Sequence, residues 1–255
     1  MTQSYRDLFS RDPASYAEFR PRYPEELFRW LASLPARRAV AWDAGTGSGQ
    51  AAAALAPWFD RVIATDASAD QLSKAIAHPR VEYRVAREAS GLEPRSVDLV
   101  TVAQALHWFD RPRFWEEVKR VLAPGGVLAV WCYELHRVTP EIDAVINRFY
   151  RDVVGEYWTP ERRLVETGYR DVEFPFAELT PPPFSMTAEW MLEHELGYIG
   201  TWSAVGRAKQ ATGRDPVAAL RPELEAVWPG EAQLRVEWPL SVRAGRPETA
   251  GRSRT

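Results

Sequence analysis

One glycine-rich segment constrains the fold more than any other part of the sequence. The segment DAGTGSG (43–49) follows the apolar stretch AVAWD (39–43), which is typical of a buried strand, and precedes the helical stretch QAAAALAPWF (50–59). Glycines at a strand-to-helix turn let the backbone bend sharply and approach a ligand closely. Asp66 ends the next strand-like stretch, RVIAT (61–65). A carboxylate there can accept hydrogen bonds from two ribose hydroxyls, so we expect a ligand site at this edge of a sheet.

Other interpretations of this segment fit less well. A structural turn with chance glycines explains neither the strand-turn-helix context nor the second acidic residue. The dinucleotide fingerprint G-x-G-x-x-G would need its third glycine at position 50, which is Gln50. A phosphate-binding P-loop is excluded because no Gly-Lys-Ser/Thr follows.

Strand-like and helical stretches alternate through the first half of the chain, which predicts right-handed βαβ units and a parallel sheet. The predicted strands lie at 39–43, 61–65, 80–85, 97–103 and 127–133, and the predicted helices at 24–34, 50–59, 69–78 and 111–122.

The second half of the chain is richer in helices. Helices are predicted at 140–152 and 160–167, then from Thr187 to Tyr198, Trp202 to Gln210 and Pro216 to Val227, with strands at 171–179 and 233–244. This order predicts one sheet domain with helices inserted between its last two strands as a cap.

Composition excludes several classes of protein. A chain of 255 residues that is 45% hydrophobic can bury a sizeable core, and no apolar run approaches the roughly 18–20 residues of a membrane span. The net charge of −3 argues against nucleic-acid binding, which depends on phosphate neutralisation. Cys132 is the single cysteine, and the first residues lack the apolar stretch of a signal peptide. We therefore expect a cytoplasmic protein that binds neither nucleic acid nor membrane.

The motifs resemble those of the class I S-adenosylmethionine-dependent methyltransferases. The resemblance rests on D-x-G-x-G-x-G after the first strand, on the acid after the second, on SVDLVTVAQALHWFD (96–110), and on VLAPGGVLAVW (121–131), which matches L-x-P-G-G-x-L. It covers residues 39–133. YAEFRPRYPEEL (16–27), ALHWFD (105–110) and GYIGTWSAV (197–205) are similar to the trans-aconitate methyltransferase-like branch of the type 11 methyltransferases.

This resemblance implies an α/β fold of the Rossmann-like methyltransferase type. The sheet would be seven-stranded and mostly parallel, with an antiparallel last strand and a helical cap inserted near the C-terminus. The implied layout is a single methyltransferase domain over 1–255, with an N-terminal cover and helix at 1–38, a core at 39–180, a cap at 181–230, a last strand at 231–244 and a loose tail at 245–255.

The resemblance also implies S-adenosyl-L-methionine as the cofactor. By position, Gly45, Gly47 and Gly49 would approach its methionine part, Asp66 would hold the ribose, and Gln104 would face the sulfonium. The implied cofactor-binding residues are Tyr16, Arg20, Asp43, Gly45, Thr46, Gly47, Gly49, Asp66, Ala67, Ala86, Arg87 and Gln104.

Several of these roles have open alternatives. Asp43 would position either the glycine loop or the amino group of the cofactor. At the adenine edge, beside Ala86 and Arg87, either Glu88 or a backbone amide would make the contact. Asp66 could instead cap the helix that begins near Ala69.

The N-terminal segment YAEFRPRYP also has two interpretations. Tyr16, Arg20 and Tyr23 could simply pack against the core as an aromatic lead-in to a helix. Alternatively, this segment folds over the cofactor and brings Arg20 or Tyr16 near its carboxylate.

The segment after the fourth strand is where the methyl acceptor should lie. His107 there is a candidate general base. Alternatively, His107 and Trp108 form a pocket wall, and Asp110 caps the helix near Pro112. His107, Trp108 and Trp202 are the predicted substrate contacts. No metal site is expected, because the other histidines show no ligand spacing.

The expected function is methyl transfer to a small molecule, with the O-methylation of a carboxylic acid as the specific candidate. A carboxylate is an adequate nucleophile without a base, whereas a phenol or an amine needs one. The alternatives are a macromolecular (RNA or protein) methyltransferase and a non-catalytic module that binds S-adenosylmethionine. We expect a monomer or homodimer whose partner is a small-molecule substrate.

Overall fold

A mixed β-sheet of eight strands is the framework of the protein in the computed structural model, which describes residues 19–247. The strands are β1 (Val40–Ala44), β2 (Arg61–Asp66), β3 (Val81–Val85), β4 (Val97–Ala103), β5 (Leu122–Tyr133), β6 (Ala177–Leu179), β7 (Phe184–Trp190) and β8 (Leu234–Arg246).

The spatial order of the strands is β3-β2-β1-β4-β5-β8-β6, and β7 also pairs with β8. Strands β1 to β5 pair in parallel, whereas β8 runs antiparallel to β5 and β6. The predicted α/β fold, with a mostly parallel sheet and an antiparallel last strand, is therefore confirmed. The predicted strand number is one too low, because the sequence predicts a helix from Thr187 onward, where the second half of β7 lies.

The helices have the following bounds: α1 (Glu25–Ser33), α2 (Gln50–Leu55), α3 (Ala69–Ser73), α4 (Arg111–Val121), α5 (Pro140–Arg148), α6 (Arg162–Glu166), α7 (Leu192–Gly200), α8 (Ser203–Thr212) and α9 (Pro216–Glu225). Two 3₁₀ turns lie at Leu106–Trp108 and Gly155–Tyr157, and a π-helical turn at Phe149–Val153 follows α5. No helix within residues 19–247 has both the length and the apolar character needed to cross a membrane.

Four sequence predictions need correction. The helix predicted from Thr187 to Tyr198 begins only at Leu192, because Phe184–Trp190 buries Met186 and Trp190 at alternating positions and pairs with β8. The strand predicted at 171–179 is reduced to β6, consistent with Pro175, which has no N–H for a ladder. The helices predicted at 50–59 and 69–78 end at Leu55 and Ser73.

Side chains of the parallel strands alternate between two apolar layers. On one face, Trp42, Val100 and Val130 pack in a cluster with residues of α4, such as Phe114. On the other face, Ala41, Leu99 and Trp131 pack with residues of α1 and α2. Cys132 on β5 is fully buried in the first layer. The continuous apolar runs in the sequence are therefore explained by a sheet that is covered on both sides.

The chain divides into two compact units. The sheet unit comprises 23–134, 164–185 and the described residues from 239 onward. The helical unit comprises 135–163, 186–238 and the described residues up to 22. The single domain and its cap, with the bounds given above, stay a prediction.

Candidate active site

The carboxyl ends of β1, β2 and β4 lie side by side at one edge of the sheet, because these strands are parallel neighbours. The glycine loop at 45–49 follows β1, Asp66 is the last residue of β2, and Gln104 follows β4. In open α/β sheets this edge forms the ligand-binding crevice.

The three glycines of the loop all have positive φ angles, of 69°, 54° and 80°, but they serve different purposes. A Cβ at Gly45 would lie 2.7 Å from Ala105 Cβ, and one at Gly49 would overlap the Tyr83 hydroxyl. A Cβ at Gly47 would meet only Gln71 Oε1, at 4.0 Å. Gly45 and Gly49 are thus required for packing, whereas Gly47 borders open space where a ligand can approach the backbone.

Asp43 is fully buried and holds the loop to the sheet. Its Oδ2 accepts a hydrogen bond from Thr46 Oγ1 at 2.5 Å, and its Oδ1 accepts one from Thr101 Oγ1 at 2.7 Å. Burial raises the pKa of Asp43 to about 6, the two hydroxyl donors oppose this, and the negative charge of Asp66 adds to it. These contacts are those of a residue that positions the loop.

Asp66 connects the turns that follow β1 and β2. Its Oδ2 accepts from the Gly47 amide and its Oδ1 from the Ser68 amide, both at 2.8 Å. Helix α3 is capped by Ser68, whose Oγ accepts from the Gln71 amide at 3.2 Å. The alternative in which Asp66 caps this helix is therefore wrong.

The predicted adenine edge lies at the end of β3. The amide of Ala86 donates to the carbonyl of Asp66 at 3.0 Å, which keeps this loop beside β2. Ala67 is half-buried and Arg87 is exposed. Glu88 Oε1 accepts from the amide of Asp110 at 3.1 Å. Glu88 thus has a structural contact, and its proposed part in adenine binding stays a prediction.

Gln104 has a left-handed backbone, with φ of 53°, at the end of β4. Its side-chain amide is bound twice to Tyr133: Oε1 accepts from the Tyr133 amide at 2.9 Å, and Nε2 donates to its carbonyl at 3.2 Å. This pairing fixes the sharp turn after β4 to the end of β5. The predicted contact between Gln104 and the sulfonium stays a prediction.

His107 lies in the 3₁₀ turn after β4 and is buried. Its Nδ1 is 2.9 Å from the hydroxyl of Tyr169, and its ring is 4.7 Å from that of Trp108. Asp110 caps α4, as predicted, by accepting from the Arg113 amide at 3.3 Å. Sequence analysis missed Tyr169, since nothing in the GYRD segment signals a functional contact.

The remaining predicted residues lie elsewhere in the chain. Arg20 belongs to the helical unit, where its guanidinium carbon is 5.3 Å from the ring centroid of Tyr198. Trp202 is buried in the same unit. Tyr23 packs edge-on against Trp131, with ring centroids 5.5 Å apart, which favours the packing interpretation for this residue. Tyr16 lies outside the described residues.

A buried His–Glu pair in the helical unit was also missed. His136 Nε2 is 2.7 Å from Glu195 Oε1, and both side chains are completely buried. The rings of Tyr198 and Trp238 lie 5.3 and 5.4 Å from the imidazole. Within residues 19–247, no group of three or more His, Cys, Asp or Glu side chains is arranged to hold a metal ion.

Comparisons with known proteins agree on one kind of enzyme. A family model described as "Methyltransferase domain" matches residues 42–130. A protein of Dictyostelium discoideum that is provisionally named a methyltransferase is 36% identical over an alignment of 225 residues, which covers 86% of this chain and 86% of that protein.

Solved structures give the same result. A provisionally named type II methyltransferase from Anaeromyxobacter dehalogenans is 50% identical, with a TM-score of 0.84, over 89% of this chain and 97% of that chain. A further structure from Anabaena variabilis, also provisionally named a methyltransferase, is 18% identical with a TM-score of 0.52 over 85% of this chain and 98% of that chain, and it supports the fold alone.

Proposed function

Because the chain belongs to the class I S-adenosylmethionine-dependent methyltransferases, we propose that its methyl acceptor is a small molecule and that the accepting group is a carboxylate. S-adenosylmethionine is the cofactor of this family, and the residues at the sheet edge fit it. Gly47 borders open space beside the carboxylate of Asp66, which suits a ribose that lies against the backbone.

One observation carries the choice of a carboxylate. In the segment from Gln104 to Asp110, the titratable side chains are those of His107 and Asp110. His107 Nδ1 is bound to Tyr169, and Asp110 accepts from the amide that begins α4. Neither side chain is therefore placed as a general base that could take a proton from the acceptor. An acceptor that is already an anion fits this segment best, since it needs no proton removed.

Methylation of a carboxylate oxygen needs no proton acceptor. When bound, the cofactor supplies a methyl group to the carboxylate oxygen, the carbon–sulfur electron pair returns to sulfur, and both charges are neutralised. The chain itself would hold the two reactants in line and exclude water, which favours a step in which charge disappears. Asp66 and Gly47 would hold the ribose, and Asp43 would keep the loop in place through Thr46.

Charge supports a small acceptor over a nucleic acid. The chain has 32 basic and 35 acidic residues, and the segment after β4 lacks the Asn/Asp-Pro-Pro-Tyr/Phe motif. The segments that resemble the trans-aconitate methyltransferase-like branch support the same acceptor chemistry. Trp108 and Trp202 stay the predicted acceptor contacts, and the cap predicted at 181–230 is the proposed determinant of acceptor choice.

A turnover assay tests the proposal. The protein is incubated with S-adenosylmethionine and matched sets of small carboxylic acids, phenols and amines, and both S-adenosylhomocysteine and the methylated products are measured by mass spectrometry. We expect methyl esters, and we expect Asp66→Ala to lower turnover at limiting cofactor, while Ser68→Ala, which changes the neighbouring helix cap, does not.

Two results would contradict the proposal. Products confined to amines, phenols, RNA or protein would exclude a carboxylate acceptor. Calorimetric binding of the cofactor without turnover on any acceptor would support the non-catalytic module instead.

A further inference from the structure

The sheet unit contains a buried imidazole–phenol pair at the place where the acceptor is expected. The distance between His107 Nδ1 and the Tyr169 hydroxyl is 2.9 Å. Tyr169 is fully buried, and His107 is only 8% exposed. Because a buried donor without an acceptor is unfavourable, we infer that these two side chains share a hydrogen bond in one direction.

The segment that carries Tyr169 is held in an unusual conformation. Gly168 and Tyr169 both have φ of 59°, which is rare for a tyrosine. A Cβ at Gly168 would overlap the side chain of Ser241, so the turn is also closely packed. Strained residues of this kind persist where the surrounding structure fixes them, and they concentrate at functional sites.

Arg243 on β8 fixes this segment. Its Nη1 donates to the carbonyls of Tyr169 at 2.8 Å and Val172 at 2.7 Å. The same guanidinium is bound to the carboxylate of Glu178 on β6. Arg243 therefore holds the backbone of Tyr169 in place, and the buried ring of Tyr169 packs in the core cluster of the sheet unit.

The direction of the hydrogen bond follows from general chemistry. A neutral imidazole has one N–H and one accepting nitrogen, and a phenol can donate or accept. The phenol O–H is the more acidic donor and the imidazole nitrogen the more basic acceptor, so the favoured arrangement is O–H donating to nitrogen. With Nδ1 accepting from Tyr169, the proton of the neutral ring of His107 lies on Nε2, at the opposite edge of the ring.

We propose that Tyr169 fixes His107 as the Nε2–H tautomer, so that His107 donates a hydrogen bond to the carboxylate of the acceptor and does not act as a general base. This inference rests on the proposed function. One oxygen of the acceptor would be held by His107 while the other receives the methyl group. His107 is then a catalytic residue that orients the acceptor, and Tyr169 is a positioning residue.

The tautomer is measurable without any substrate. Long-range proton–nitrogen NMR spectra distinguish Nε2–H from Nδ1–H histidines, and loss of a signal in His107→Gln assigns it among the four histidines. We expect Nε2–H for His107 in the native protein and a shift toward a mixture of tautomers in Tyr169→Phe. An Nδ1–H signal in the native protein, or no change in Tyr169→Phe, would overturn the proposal.

Kinetics distinguish a donor from a base. His107→Gln keeps an N–H donor near the position of Nε2, whereas His107→Leu removes it. We expect His107→Leu to lower kcat/KM about 10–100-fold, the range of a hydrogen bond to a charged group, and His107→Gln to retain most of the activity. Equal losses in both variants, with a native kcat that falls as His107 becomes protonated, would establish a general base and overturn the proposal.

A matched control separates this effect from a loss of folding. Tyr157→Phe removes a hydroxyl from the 3₁₀ turn of the helical unit and should change neither the tautomer nor kcat, while Tyr169→Phe should lower kcat several-fold with the cofactor affinity unchanged. If the native protein methylates no carboxylate but His107 is Nε2–H, the proposed function fails while the tautomer assignment stands. If carboxylates are methylated and His107 is Nδ1–H, only this inference fails.

Discussion

Two completely buried carboxylates, Asp43 in the sheet unit and Glu195 in the helical unit, differ in their hydrogen bonding. Asp43 in the sheet unit accepts one hydroxyl donor on each oxygen, from Thr46 and Thr101. Glu195 Oε1 in the helical unit is 2.7 Å from Nε2 of His136, but within residues 19–247 neither carboxylate oxygen has a hydrogen-bond donor in suitable geometry.

The two regions accommodate a buried carboxylate by different means. Hydroxyl donors next to Asp43 replace part of the water that its carboxylate loses on burial. The remaining cost of burying the charge appears as a raised pKa of Asp43. Among the described residues, Glu195 has only the imidazole of His136 beside its carboxylate. A carboxylate held by a single buried counter-group should be far more sensitive to substitution than one held by several donors.

The largest expected effect is therefore in the helical unit. His136→Leu leaves the buried carboxylate of Glu195 without its partner and should lower the free energy of unfolding by about 3–5 kcal/mol, measured by urea denaturation. The double variant His136→Leu with Glu195→Leu removes both polar groups and should recover most of this loss. A double variant as unstable as the single one would show that the contact between His136 and Glu195 itself stabilises the native state.

The next effect is a pH dependence in the sheet unit. Asp43 binds its proton more tightly in the folded state, with a pKa of about 6, than at the unfolded value of 3.8. Its stabilising contribution is fully present below about pH 4 and is lost as pH rises through 6, a change of about 3 kcal/mol. Asp43→Asn does not titrate, so its stability relative to the native protein should increase between pH 4 and pH 7, as measured by denaturation at each pH. A constant difference would contradict the raised pKa.

A smaller effect concerns the cofactor. Asp66→Ala should weaken the binding of S-adenosylhomocysteine about 10–100-fold in calorimetric titration, because charge-assisted hydrogen bonds are worth about 1.5–3 kcal/mol. The sequence alone predicts that Asp66→Asn does less harm than Asp66→Ala, because one acceptor oxygen remains. The structure suggests a comparable loss, because an NH₂ group must then face one of the two amide donors, of Gly47 or Ser68. Unchanged affinity in both variants would remove Asp66 from the cofactor site.

The smallest effect is at the neighbouring cap. Ser68→Ala removes the acceptor for the Gln71 amide and should lower stability by about 1 kcal/mol, which a melting curve detects. Its affinity for S-adenosylhomocysteine should stay at the native value. Weaker cofactor binding in this variant would mean that the turn after β2 acts as one unit with Asp66.

The sequence predicted the sheet unit well because its signals are local. An apolar run, a glycine turn and an acid at the next strand end are enough to place β1, β2 and the loop. The element that the sequence did not predict, β7, depends on a partner strand that is distant in the sequence. Phe184–Trp190 is a strand because β8 is available to pair with it, although its MTAEW end reads equally well as helix.

The site was predictable only in part, for the same physical reason. Asp43 and Asp66 lie within the motif and have contacts that the motif explains. Tyr169 reaches His107 through a left-handed turn that Arg243 stabilises, and three separate segments must meet to create it. The pairing of His136 with Glu195 likewise joins the segment after β5 to α7. Neither the periodicity nor the spacing of residues in the sequence indicates such long-range contacts.

The single cysteine has a practical consequence for these measurements. Cys132 is fully buried on β5, an interior strand between β4 and β8. A thiol reagent can modify it only after that strand becomes exposed, so the labelling rate at low denaturant measures how often the sheet opens. The protein thus contains a natural chemical reporter that needs no engineered probe. Labelling that is slow while the helical unit is already destabilised by His136→Leu would show that the two units open independently.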